Sequence, residues 1–215
     1  MEIFGFKALV SGAAVTLGLA VLAIIAGFLL GVALGILRWL RLPGLDRVLA
    51  TYISLVRATP LLTLALIVFF LVPAATGYDM PAALAAVLSM SINTSAFNCE
   101  IWRAGLEDFP REQIEAARSA GMGRGLLLRR IMLPQIVRSH LAPLVNEMTV
   151  LIKNSPAVSV IGIVDLTRAA VRVGADTYRP LPPLMGALLI YVVIVFALVR
   201  LQRHLDRQSA ARYAR

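Results

Sequence analysis

Residues 115–121 read Glu115-Ala116-Ala117-Arg118-Ser119-Ala120-Gly121, a run of charged and small helix formers closed by a glycine. It interrupts a chain that is otherwise mostly apolar. A basic, helix-forming connector between apolar runs predicts a bundle of membrane-crossing helices with one prominent segment held outside the bilayer, where another protein can grip it. The fold expected is all-α and integral to the membrane.

Composition agrees: the 215 residues are 59% hydrophobic and only 15% charged, a balance that excludes a soluble domain. The net charge of +9 could suit nucleic acid, but the basic residues lie between apolar runs, where they set orientation, so no nucleic-acid partner is expected. Cys99 is the only cysteine, and His140 and His204 are isolated, so neither a disulfide nor a metal site is expected. The chain contains no GxxxxGK[ST] phosphate loop, and Ser89 and Ser91 have no nearby histidine to activate them. It is therefore read as a non-enzyme that binds no ATP or other cofactor itself.

A helix needs about 20 apolar residues to cross a hydrocarbon core of about 30 Å. Five segments approach that length. The first lies within Ala8 to Leu37, too long for a signal-peptide core. The second ends near Val72, the third starts at Pro81, the fourth starts after Pro134, and the fifth runs from about Leu184 to Val199. Fifteen arginines fall on one side of this arrangement: Arg38, Arg41 and Arg47, then seven from Arg103 to Arg138, then five in the tail from Arg200 to Arg215. Only Lys7, Arg168, Arg172 and Arg179 fall on the other, with Arg57 and Lys153 near or within spans. The positive-inside rule then predicts amino terminus out, carboxyl terminus in and the large connector, about 106–134, in the cytoplasm. The chain reads as one domain, 1–215, and five spans do not divide into equal inverted halves.

In the connector, Asp108 and Pro110 are helix-start signals, and Arg111 to Ala120 are good helix formers with Glu115 spaced to meet Arg111 and Arg118. Gly121 suits the left-handed residue that ends a helix. A second short helix, about Leu126 to Met132, is expected to stop before Leu133-Pro134. Spacing alone fits either an amphipathic connector on anionic lipid or a docking segment.

The run EAARSAGM at 115–122, followed by IMLPQ at 131–135, resembles the EAA loop of ABC importer permeases. Tyr52, Arg57, Thr59 and Pro60 are similar to the Y…RGTP signature of the polar amino-acid type. FNCEIWRAG at 97–105 is similar to its AE…RGG segment, and NEMTVLIKNS at 146–155 to its NE…K stretch. Ala58, Pro156 and Asp206 depart from that pattern. The resemblance implies a type I importer permease fold of about five spans in the bacterial inner membrane. It also implies a second permease subunit, a dimer of ATP-binding subunits carrying ATP and Mg, and an extracytoplasmic substrate-binding protein. It assigns Glu115, Ala116, Ala117 and Gly121 to ATPase coupling.

Polar residues inside the spans are the remaining candidates. Leu61 to Val72 spans only about 18 Å as helix, so the second span must begin before Pro60, with a break there and the Thr59 hydroxyl satisfying a freed carbonyl. Arg57, Thr59 and Pro60 form either a gating hinge or a plain kink with an interfacial arginine. In the third span Ser91, Thr94, Ser95 and Asn98 recur at helical spacing, with Asn93 and Glu100 on an adjoining face, so this side must meet other helices or water. In the fourth, Asn146, Thr149 and Lys153 share a face, with Glu147 beside them and Pro143 below. A charged group there costs about 2.5 to 3.5 kcal/mol in lipid, which makes a solute path the default, a structural pairing of Glu147 with Arg57 or Lys153 the alternative. The candidate path is Asn93, Asn98, Glu100, Asn146, Glu147 and Lys153, with Pro143 grouped with the gating residues. Ala157 to Arg179 is read as too polar to cross again and as an external gate element, with Val158 to Leu166 apolar enough to dip into the bilayer or pack on helix ends. The function expected is the permease subunit of an ATP-driven importer of polar or charged amino acids; the alternative is an ion-coupled carrier using the intramembrane acids.

Overall fold

The computed structural model describes residues 3–213, with side chains described for 5–207; Arg215 of the charge count lies outside this range, and Arg212 is described in backbone only. Among the described residues every regular element is helical. In order these are α1 (Ile3–Trp39), α2 (Leu45–Ala58), α3 (Leu61–Leu66), α4 (Val72–Thr76), α5 (Ala82–Glu107), α6 (Arg111–Ser119), α7 (Arg124–Leu127), α8 (Leu133–Asn154), α9 (Leu166–Thr177) and α10 (Leu181–Tyr213).

Three of these, α1, α5 and α10, are long and apolar enough to cross a membrane singly. Two bent pairs pass the same test jointly: α2 with α3–α4, turned by 109°, and the rod from Arg124 to Ile161 with α9, turned by 55°. Counting each bent pair as one span gives the five expected; the three straight helices alone give three.

The straight pair is α1 and α5. A Cβ added at Gly27 would collide with Thr94, one at Gly31 with Asn98, and one at Gly35 would lie 2.8 Å from Trp102. These contacts advance together along both chains, so the two helices run parallel. Glycine at every fourth position removes the side chains that would hold the backbones apart, the small-residue packing by which helices associate where lipid supplies no hydrophobic drive. Phe28 meets Trp102 edge to face at 5.8 Å, filling the groove beside this ridge.

The first break follows from Thr59-Pro60. Proline cannot donate to the helix ladder, and α2 stops at Ala58, just short of this pair. The Thr59 hydroxyl donates to the Leu55 carbonyl at 2.8 Å, the re-satisfaction expected of it. The chain then runs through α3, a π turn at Ile67–Leu71 and α4, reaching Thr76 rather than Val72. Gly77, at φ 71°, closes it.

The helix leading into the second break corrects one expectation. Helix does not stop at Leu133-Pro134: it continues from Arg124 to Ile161, because a π turn at Leu128–Met132 widens the backbone just where the proline ring would strike the preceding turn. The segment after Ala157 packs into the bundle, as the apolarity of Val158 to Leu166 allows. Ser155–Ile161 tightens into a 3-10 turn, Gly162 at φ 99° follows it, the path bends by 55°, and α9 then lies along the first third of α1. The Leu166 amide donates to Thr16 Oγ1 at 3.0 Å, and Val173 sits against Gly5. α9 is amphipathic: Leu166, Ala169, Ala170 and Val173 are buried, while Arg172 and Asp176 are exposed on its other side.

The core is layered along the bundle. Leu151 and Ile152 pack with Ala20, Ala23, Met90 and Leu61, at the midpoint of the apolar run of α1. Toward α6, Trp102, Leu106, Ile136 and Leu144 form a second layer. The last crossing, α10, runs past Val199 to Tyr213, since no proline or glycine follows to stop the helix.

Candidate functional site

The connector folds as a helix that is half moored and half presented. α5 ends at Glu107 with Asp108 closing it, so Asp108 does not cap the next helix as expected; Pro110 holds that position and Glu112 supplies the acidic first turn. At the other end Gly121 is left-handed, at φ 77°. The Met122 amide donates to Ala117 O at 3.0 Å and the Gly121 amide to Arg118 O at 2.9 Å, the paired bonds of a Schellman stop. Glycine is required here because any side chain is strained at that φ.

Ala117 is buried with Ile114 partly buried beside it, packed on Trp102, Leu106 and Leu127. The amide of Gln135 donates to Gln113 at 2.9 Å, tying α6 to α8. Glu115, Ala116 and Gly121 are exposed. Of the four proposed coupling residues, then, Ala117 faces inward and holds the helix, and the other three form its outer surface. Among the described residues Glu115 makes no ion pair with Arg111 or Arg118, so its carboxylate is available to a neighbour.

The polar residues of α5 turn out to be interior. Ser91, Asn93, Thr94, Ser95 and Asn98 are all buried. The Asn98 amide donates to Thr94 Oγ1 at 3.3 Å and Ser95 Oγ to Ile92 O at 2.8 Å. Thr94 and Asn98 carry the atoms that meet Gly27 and Gly31. Of the two environments open to this face, helices or water, it takes the first and meets α1; Asn98 belongs to the helix contact.

Glu100 is committed to cations. Arg103 forks onto it at 2.8 and 3.1 Å, Arg38 pairs with its other oxygen, and Arg57 lies 3.9 Å away. Among the described residues Glu147 makes no direct ion pair with Arg57 or Lys153: Arg57 is nearest Glu100 and stacks 5.2 Å over Phe97, acting on Glu147 only at longer range. Glu147 is buried, turned toward Thr94.

α8 divides the fourth-span candidates. Glu147 and Thr149 are buried, with the Thr149 hydroxyl bonded to Val145 O at 2.9 Å. Pro143, Asn146, Val150 and Lys153 are exposed, at steps of three, four and three along one stripe. Lys153 adjoins Ile152 of the middle core layer, so its backbone sits at mid-depth. It edges an open cleft of about 390 Å³ whose other lining residues all come from α10, among them Tyr191, Val195 and Phe196. A group so placed must meet water or another polypeptide.

A helical membrane bundle with a docked but exposed connector helix on one end, and a polar stripe at mid-depth, defines a membrane transport component with an external partner. Residues 23–210 match the family described as binding-protein-dependent transport system inner membrane component, and the chain belongs to that family. It is 34% identical over 200 residues to the arginine transport system permease protein ArtQ of Bacillus subtilis, covering 93% of this chain and 91% of that one. It is 35% identical over 204 residues to the octopine transport system permease protein OccM of Rhizobium meliloti, covering 91% and 83%. Among solved structures it is similar to an amino acid ABC transporter crystallised with histidines, at 33% identity and TM-score 0.86 over 97% of this chain and 99% of that one. The inward-facing MetNI methionine transporter, at 19% identity and TM-score 0.83 over 97% and 99%, shares the fold. The chain is an inner-membrane permease component that works with ATPase and substrate-binding components, and is not itself an enzyme.

Proposed function

We propose that this chain is the permease subunit of an ATP-driven importer of polar or charged amino acids, oriented with its amino terminus outside and its arginine-rich, α6-bearing end in the cytoplasm. The observation that carries the reading is α6: fixed inwardly by Ala117 and Gln113, stopped by Gly121, and presenting Glu115 and Ala116 outward. A dimer of ATP-binding subunits, holding ATP and Mg, grips that surface. Relatives named for arginine and octopine transport support an amino-acid solute.

The exposed stripe of α8 and the adjacent face of α10 meet a second permease subunit, leaving Asn146 and Lys153 toward the solute path. A lysine rooted at mid-depth with no acidic partner among the described residues suits the carboxylate that every amino acid carries. Glu147 and Asn93 lie behind that stripe and shape it; Glu100 and Asn98 serve the helix contacts instead. Pro143, within the exposed stripe, lets α8 bend beside it.

The test is uptake of radiolabelled arginine, glutamine and histidine into proteoliposomes holding the assembled transporter and its binding protein. ATP-dependent uptake that survives collapse of the ion gradients is expected. Uptake that instead needs an ion gradient and ignores ATP would move the function to the ion-coupled carrier. Glu115→Lys should abolish ATP-driven uptake while the protein stays inserted.

A further inference from the structure

The end of the bundle nearest α6 holds a connected set of charges that the solute path does not use. Glu100 is its hub, receiving Arg38 from α1, Arg57 from α2 and Arg103 from its own helix. Two branches leave the hub. Arg38 continues to Asp46 at the start of α2, at 3.2 Å. Arg103 continues at 2.5 Å to Glu107, the last residue of α5, which in turn meets Arg41 at 3.5 Å.

The links are unequal. Arg103 is held by three hydrogen bonds to Glu100 from the next turn of the same helix, so the two residues stay neighbours while α5 stays helical. Arg57 makes no hydrogen bond to Glu100: the pair stands at 3.9 Å, the arginine is 43% exposed, and its other holds are the face of Phe97 and a longer-range attraction to Glu147. Both contacts are of the kind that water can replace at small cost. Arg57 therefore marks the weakest point of the set.

Its position makes the weakness consequential. Arg57 lies two residues before Thr59-Pro60, where the second span turns by 109°. Glu107 lies four residues before Arg111, where α6 begins. A displacement of α6 moves the end of α5, and the hub on α5 carries that displacement to the arginine at the hinge.

We propose that Arg57 and Glu100 form a releasable latch that ties the orientation of α2 to the position of α6, so that the broken second span swings only when the coupling helix is driven. The inference rests on the reading of α6 as the ATPase contact. In one position the latch holds α2 against α5; its release frees the hinge. Arg57 and Glu100 are positioning residues, with no contact to solute required.

The test is the ratio of solute moved to ATP hydrolysed, measured on the assembled transporter in proteoliposomes with its binding protein, for Arg57→Ala, Arg57→Lys, Phe97→Leu and Glu100→Gln. Only variants that still co-purify with the ATPase are scored, so loss of the latch is distinguished from loss of the α6 contact. Arg57→Ala should lower the ratio about tenfold, an ordinary coupling free energy, with ATP hydrolysis no longer dependent on the loaded binding protein. Arg57→Lys should recover part of the ratio, and Phe97→Leu should lower it less than Arg57→Ala. Glu100→Gln disturbs three arginines and can reduce assembly, so the Arg57 and Phe97 variants decide the matter. An unchanged ratio in both Arg57→Ala and Phe97→Leu overturns the latch.

Discussion

The parallel pair α1–α5 and the two broken spans are built from opposite materials. The pair is joined by a glycine ridge so close that carbons added to it would collide with the facing side chains. The broken spans carry their turns at Thr59-Pro60 and between Ile161 and Leu166, with polar side chains repairing the exposed backbone. Close packing resists deformation, whereas a repaired break has two rods and a joint. The difference assigns rigidity to one half of the bundle and motion to the other.

The comparison breaks most violently at the ridge. Gly31→Leu should cost about 3 kcal/mol or more through overpacking, since the Cβ alone already meets Asn98, and should remove the protein from the membrane fraction on immunoblots. Gly18, with open space around its Cβ site, is the control: Gly18→Leu should accumulate normally. Next in size is the driven end. Glu115→Lys should reduce ATP-driven uptake by at least about a hundredfold, toward the upper end of ordinary coupling energies, with insertion intact by protease protection. Lys153→Met should raise the half-saturating solute concentration by about tenfold, the scale of one lost charge-assisted bond, while leaving co-purification with the ATPase unchanged. Smallest is Thr59→Val, which removes the bond to Leu55 O; a loss of about 0.6 kcal/mol, read as a small fall in thermal midpoint in detergent, would show the joint to be lightly held.

What the sequence disclosed was local chemistry. Pro60 announced the break and Thr59 its repair, and Gly121 announced the end of α6, because each acts within one helical turn. The packing of α9 was not legible: Arg168, Arg172 and Asp176 lower the apolarity of any window containing them, and only the fold of α1 shows that Leu166, Ala169 and Val173 face a helix. Glycines 27, 31 and 35 did carry a signal, a four-residue repeat, though the partner they pack on could not be read from it. The Glu100 cluster joins residues up to 66 positions apart, visible only once α1 and α5 are known to run side by side in the same direction. Sorting the polar residues of α5 from those of α8 likewise required the bundle, since both have helical spacing but only α8 leaves a stripe uncovered.

The beginning of α9 has a consequence for solute recognition. A half-helix that starts deep in a membrane points a positive dipole end inward, and in some carriers that end is left open to an anionic solute. Here it is plugged. Asp165 is buried and takes the Arg168 amide at 2.8 Å, and Thr16 takes the Leu166 amide. Its electropositive ending is spent on the protein's own side chains, so a passing carboxylate finds no backbone receptor there, and selectivity for the acidic end of a solute falls to side chains that can be changed one at a time.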